Sequence, residues 1–197
     1  MLLMAFVSLT GSAVIVLLPV FAKDILHGVP RAFGFLTGAI GLGAMLGALF
    51  MASMRTVRGL GNVILIALFF FGSGLIAVSF SGSLIIAIAF LMIAGMGTMM
   101  HMASSNTIIQ TVADDDKRGR VMSFYILSFS GFGPLGNLLA GCAANVFGVR
   151  HVVTCGGMLT LLAGIAFIFL LPEIRRHLRP VYIKKGIIPV DTGVEIH

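Results

Sequence analysis

Charge is what this sequence has least of. Of its 197 residues only 13 are Lys or Arg and 7 are Asp or Glu, so 10% are charged, where an ordinary soluble domain has about 25%. A water-soluble globule of this length could not cover its surface with so few charges. That excludes a cytosolic enzyme, a nucleic-acid module and a disordered tail. Hydrophobic residues make up 58% and the mean hydropathy is +1.10; the solvent left is a lipid bilayer. A basic flank is missing too. Met1 to Phe6 opens directly on apolar residues, without the charged leader or small-residue cleavage site of a signal peptide. The expectation is a chain that starts inside a longer protein. Cysteine is also sparse. Cys142 and Cys155 fall near one outer loop, and depth alone would let them meet, but two free packed thiols are the reading preferred.

Between the charges lie uncharged runs at 1–22, 32–54, 59–113, 121–149 and 151–172. About 20 apolar residues cross roughly 30 Å of hydrocarbon, so four runs fit one crossing each. The run 59–113 must fold back once, and the cluster Ser79-Phe80-Ser81-Gly82-Ser83 is the expected turn. The runs do not alternate as barrel strands would. The fold class expected is an all-α membrane protein of six transmembrane helices, near 1–22, 32–54, 62–79, 84–109, 121–144 and 152–171, forming one domain over 1–172. Residues 173–197 are expected to form a basic cytoplasmic tail. Six crossings put both termini on one side. The loops and tail of that side hold ten basic residues (Arg55, Arg58, Lys117, Arg118, Arg120, Arg175, Arg176, Arg179, Lys184, Lys185), against Lys23, Arg31 and Arg150 opposite. The positive-inside rule makes both termini cytoplasmic. The net charge of +6 then needs no nucleic-acid partner, since a basic tail can lie against anionic headgroups.

The chain carries a weak internal repeat. A shift of 90 lays Gly41-Leu42-Gly43 on Gly131-Phe132-Gly133, and a shift of 89 lays Gly59–Ile64 on Gly148–Val153. Each match falls at the second helix of a triplet or in the loop after it. Because three is odd, the two copies must be inverted across the membrane, as in many transporters. Chance similarity of glycine-rich helices is the bland alternative. Gly34 and Gly38, and again Gly43 and Gly47, stand four apart on the second helix, where missing side chains let a neighbouring backbone approach. The fifth helix holds Gly131, Gly133, Pro134 and Gly136 near its middle. Pro134 removes a backbone donor and favours a kink. Tight packing and a rocking hinge would both account for these residues.

No Asp or Glu lies inside a predicted span; the candidate ionisable group is His101 in helix four. Thr98, His101 and Ser105 share a narrow arc, with Asn106 and Gln110 on an adjacent face. This polar stripe can line a substrate path or form interhelical hydrogen bonds, and Asn137 in helix five needs a partner in the same way. Two rival chemistries are weaker. Met96, Met99, Met100 and Met102 around His101 are soft Cu(I)-type ligands, but they circle the helix and also suit an apolar core. Ser73 between Gly72 and Gly74 could serve an intramembrane protease with His101 as base, but no acyl-transfer signature surrounds it. No metal site, no cofactor and no enzyme activity is expected.

The segment from Asn106 to Tyr125, NTIIQTVADDDKRGRVMSFY, leaves helix four, makes a charged loop and enters helix five. Asp114 can approach a helix end, and Arg118 and Arg120 can pair with acids or with carbonyl ends, as a solvated hairpin or as a gate latch. Asn106, Gln110, Val112, Asp114, Arg118 to Ser123, Tyr125, Gly131, Pro134 to Gly136 and Gly141 resemble the tenth-to-eleventh helix region of the major facilitator superfamily. The branch resembled is that of the enterobactin exporter and related efflux permeases, the transmembrane secretion effectors. Leu18 to Leu26, followed by the helix of Gly34 to Gly47, resembles the seventh and eighth helices of that branch. The resemblance covers about 1–172. Ala113 replaces a usual Pro, and the loop Arg55 to Gly59 keeps basic residues without the acid of the superfamily's signature loop.

The resemblance implies a proton-driven exporter of small amphipathic molecules, siderophores or drugs, working by alternating access in the bacterial inner membrane. It implies no cofactor beyond the proton gradient. Members have twelve helices, so these six would be the C-terminal half. The partners implied are lipid, a small-molecule substrate and a missing N-terminal half, or failing that a second copy in a homodimer. The alternative is a non-transporting scaffold or an inactive permease fragment.

Overall fold

A computed structural model describes residues 2–24, 30–54, 57, 59–114 and 116–185. Arg55 and Arg58, used in the charge reading, lie outside the described residues, as do Asp115 and the tail beyond Lys185. Among these residues seven helices follow in chain order: α1 (Leu2–Asp24), α2 (Pro30–Ser53), α3 (Leu60–Phe80), α4 (Leu84–Val112), α5 (Arg118–Ser130), α6 (Phe132–Phe147) and α7 (Val149–Lys184). There is no strand among the described residues. With α5 and α6 in line, six segments are long and apolar enough to cross a membrane. The turn in the long central run falls where the small residues are. Chain direction reverses between Phe80 and Leu84, and the Ser81 hydroxyl donates to the Val78 carbonyl at 2.7 Å.

The fifth crossing differs from the single helix expected at 121–144. It is the least apolar of the six, with mean hydropathy 1.3 against 1.9 to 2.5 elsewhere, and it is interrupted at Gly131. Pro134 has no N–H to give the carbonyl one turn back. Gly131 itself keeps helical angles (φ −78°, ψ −35°) and bonds to the Leu127 carbonyl at 2.8 Å, so the break is narrow. Two serines of α1 support it. Ser8 donates to the Phe129 carbonyl, and Ser12 to the Gly133 carbonyl at 2.9 Å. Side chains from a neighbouring helix can brace backbone carbonyls on either side of such a break in lipid; the carbonyl that Pro134 itself leaves without a donor is that of Ser130.

The last helix also departs from expectation. The tail was expected from 173, but α7 continues through Pro172 and Pro180 to Lys184. Charge marks where the chain meets water, not where the helix stops. Two side-chain bonds hold the extension down: Arg175 donates to Asn62 Oδ1 at 2.7 Å, and Lys185 Nζ to the Ala113 carbonyl at 3.0 Å. The second bond satisfies an orphan carbonyl at the C-terminus of α4.

Packing follows the inverted-repeat logic. The second helix of each triplet lies on the first helix of the other: α2 packs chiefly on α4, and α6 on α1. Glycine permits both approaches. A methyl group on Gly43 would meet the backbone of Met92, and one on Gly47 would lie 2.7 Å from the Met96 carbonyl oxygen and 3.2 Å from Met99 Cβ. On the other side, a methyl on Gly136 would strike the Leu9 backbone. The repeat shift of 90 carries Leu9 to 99 and Gly136 to 46, next to the Gly47–Met99 contact. Gly34 and Gly38 do not behave as expected, since nothing stands within 4 Å of a Cβ at either. They lie on a face of α2 that the described residues leave exposed. Between the triplets, Leu18, Phe21, Leu36, Leu68, Leu75 and Leu91 form the dry centre of the bundle.

Candidate functional site

A cavity of about 150 Å³ lies among the helices beside His101. Its walls come from α1 through α5, with Met4, Gly11, Ile40, Phe71, Leu91, Met102 and Phe129 among them. Among the described residues no charged side chain lines it, and the polar ones are Ser8, Ser12, Thr98 and His101. Three of these four are already engaged. Ser8 and Ser12 hold the α5–α6 break, and Thr98 donates to the Ala94 carbonyl at 3.0 Å. His101 is only 1% exposed, and neither Nδ1 nor Nε2 has a hydrogen-bond partner. An unsatisfied buried polar group costs about 1–3 kcal/mol in proteins, so evolution rarely leaves one without use.

The remaining stripe residues do not converge on this cavity. Ser105 is buried one turn further along α4, and Asn106 is half-buried. Gln110 is exposed and donates to Asn106 Oδ1 at 2.9 Å. With Thr107, Thr111 and Arg118 it borders a separate open depression of about 340 Å³. Asn137 sits apart on α6 with a buried, unbonded Oδ1. The structure therefore joins Thr98 to His101, sets Gln110 beside Arg118, and leaves Asn137 alone.

At the charged loop, Asp114 is exposed and its backbone carbonyl receives the Lys117 N–H at 3.0 Å. Arg118 and Arg120 stand exposed in the first turn of α5, which starts without a side-chain cap. Tyr125 ties α5 to α4, its hydroxyl donating to the Met102 carbonyl at 3.2 Å. Of the hinge candidates, Gly43, Gly47 and Gly136 are close-approach residues. Gly133 is merely adjacent to Ser8 and Ser12, and Gly131 and Pro134 mark the break.

The sequence reading missed Ser8 and Ser12. Their signal was available: two hydroxyls four apart in an otherwise apolar helix share one face. Ser73 is exposed and bonds the Phe69 carbonyl of its own helix at 2.6 Å, so it is not paired with His101. Cys142 and Cys155 are both free, but exposed rather than packed as expected. No group of three or more His, Cys, Asp or Glu gathers among the described residues.

Comparison with known proteins agrees with this architecture. The chain is 26% identical over 161 residues to the staphyloferrin A transporter of Staphylococcus aureus (strain NCTC 8325 / PS 47), covering 82% of this chain and 40% of that protein. It is 28% identical over 160 residues to the multidrug efflux pump Tap of Mycolicibacterium fortuitum, covering 81% of this chain and 38% of that protein. The chain thus spans about two fifths of the length of these relatives. Both relatives are transporters, which fits a multi-pass membrane protein of transport rather than an enzyme. The family described as transmembrane secretion effector matches residues 1–181, and the chain belongs to this family of the major facilitator superfamily.

Proposed function

We propose that the chain is the C-terminal half of a secondary transporter that exports small amphipathic molecules by alternating access, with the His101 cavity as part of the substrate path. The observation that carries this is the unbonded imidazole of His101 at the wall of an uncharged cavity between the first helices of the two triplets. A molecule with an apolar body and one hydrogen-bonding group would satisfy it. The proton gradient supplies the energy. Since no Asp or Glu lies in the described apolar core of the spans, proton coupling resides in a second six-helix half. The length of the relatives supports such a half. So does the uncovered face of α2 at Gly34 and Gly38, where small residues suit a closely packed helix partner. Both termini face the cytoplasm, and the α5–α6 break bends as the halves rock. Asp114, Arg118 and Arg120 sit where a cytoplasmic gate would close.

The test is export by the assembled transporter with His101, Asn106, Gln110 and Asn137 replaced one at a time. His101→Leu is expected to lower export severalfold without loss of the protein from the membrane. Unchanged export in all four variants would favour a non-transporting scaffold. The polypeptide alone is expected to drive no uphill efflux from vesicles.

A further inference from the structure

A second cavity, of about 290 Å³, lies under the α7 extension, beside the start of α3 and the end of α4. Its floor is apolar, made by Ile108 of α4 with Phe167, Leu171 and Leu178 of α7. Its rim carries Arg175 and Arg179. The floor lies where the apolar run of α7 ends at Leu171, and the rim lies where charge begins, so the cavity straddles the boundary between hydrocarbon and headgroups. Local charge is one-sided: from Pro172 to Lys185 there are five basic residues and one acid, Glu173. The cavity is also built, not incidental. Gly61 leaves room for Leu171, whose Cδ1 would be 2.7 Å from a Cβ there. The Arg175–Asn62 and Lys185–Ala113 bonds tie the helix across α3 and α4 on either side.

We infer that this cavity is a binding site for one anionic glycerophospholipid, with its phosphate at Arg175 and Arg179 and an acyl chain along the apolar floor. The two requirements are joint. Arginine recognises phosphate through paired donors, and basic pockets at the ends of membrane helices hold anionic headgroups. An apolar floor beneath them is wasted on a free ion. The lipid then acts as a wedge that fixes the α7 extension against the loop-facing ends of α3 and α4. The site stands independently of which molecule the transporter moves.

The test uses the purified full chain in neutral detergent, with bound lipid read by native mass spectrometry after titration with phosphatidylglycerol or phosphatidylcholine. Phosphatidylglycerol is expected to be retained about thirtyfold better, and the R175Q/R179Q double variant to lose about that factor, as expected for two basic side chains near a headgroup. Asn62→Ala breaks the tie to Arg175 but keeps both cations. It is expected to retain the preference, which separates lipid binding from loosening of the helix. Equal retention of both lipids overturns the inference, as does undiminished phosphatidylglycerol binding by the double variant. Displacement of the lipid by inorganic phosphate or by deacylated glycerophosphoglycerol, as readily as by the intact lipid, would reduce the site to an anion site and overturn it too.

Discussion

The closest test of the packing scheme compares one substitution at two places on one helix. Gly47 and Gly41 both lie on α2. A methyl group on Gly47 would stand 2.7 Å from the Met96 carbonyl oxygen, while ordinary contact begins at 3.4 Å. The obstacle is backbone, which cannot rotate away, so α2 and α4 must part by roughly 0.7 Å at that point, the difference between those two distances. Overpacking of this kind costs about 1–3 kcal/mol. A methyl on Gly41 meets nothing within 4 Å. Both variants gain the same helix propensity, about 0.5–1 kcal/mol, so that gain cancels when the two are compared. Gly47→Ala is therefore expected to be less stable than Gly41→Ala by about 1–3 kcal/mol, with Gly41→Ala at or slightly above the parent. Thermal or SDS-induced unfolding of the purified chain measures the difference. If Gly47→Ala unfolds at or above Gly41→Ala, the glycine-mediated seam between α2 and α4 is refuted.

Three further outcomes are expected. Ser12→Ala removes the bond to the Gly133 carbonyl and should cost about 0.5–1.5 kcal/mol in the same assay, with faster hydrogen exchange confined to residues after the break. Gly11→Leu should fill part of the His101 cavity, since even a Cβ at Gly11 would lie 3.2 Å from the Phe71 ring. Export should then fall while the protein still reaches the membrane, and full export would argue against that cavity as a path. For orientation, cysteines placed at Asp116 and Arg150 in a cysteine-free background should label from opposite sides with an impermeant maleimide, Arg150 from outside; the reverse pattern would invert the assigned topology.

Much of the fold was legible because hydropathy alone determines how often a chain must cross lipid. The fold-back at Ser81 to Ser83 was readable for the same reason, a cluster of small residues in a run too long for one crossing. What escaped was anything set by a neighbour. Gly34 and Gly38 have the same spacing as Gly43 and Gly47, yet only the latter pair faces α4. A spacing states that two residues share a face and is silent on what covers it. The end of α7 was misplaced because its extension is held by Asn62 and by the α4 terminus, residues more than 70 positions away. In the candidate site, His101 stood out as the sole ionisable residue in the middle of a span, whereas half-buried Asn106 accepts a bond from exposed Gln110 instead of facing the cavity.

The cavity's position follows from the repeat, and its polarity from where the copies differ. The shift of 90 that aligns the glycines carries Ser8 to 98 and Gly11 to 101. Ser8 and Thr98 both line the cavity and both spend their hydroxyls on backbone carbonyls, so the two copies make the same wall from equivalent residues. Gly11 and His101 line it as well, but here the copies diverge. One supplies an imidazole, and the other supplies no side chain at all. Two imidazoles at equivalent positions would crowd the same seam, and two glycines would leave an apolar hole with nothing to orient a guest. Glycine opposite histidine gives both space and a single unbonded polar group, which is the combination that small-molecule sites use to fix orientation inside apolar walls. The near-symmetric packing of α1 and α4 sets the frame, and three of the four equivalent pairs that line it among the described residues differ between the copies: Met4 with Ala94, Gly11 with His101 and Ser12 with Met102.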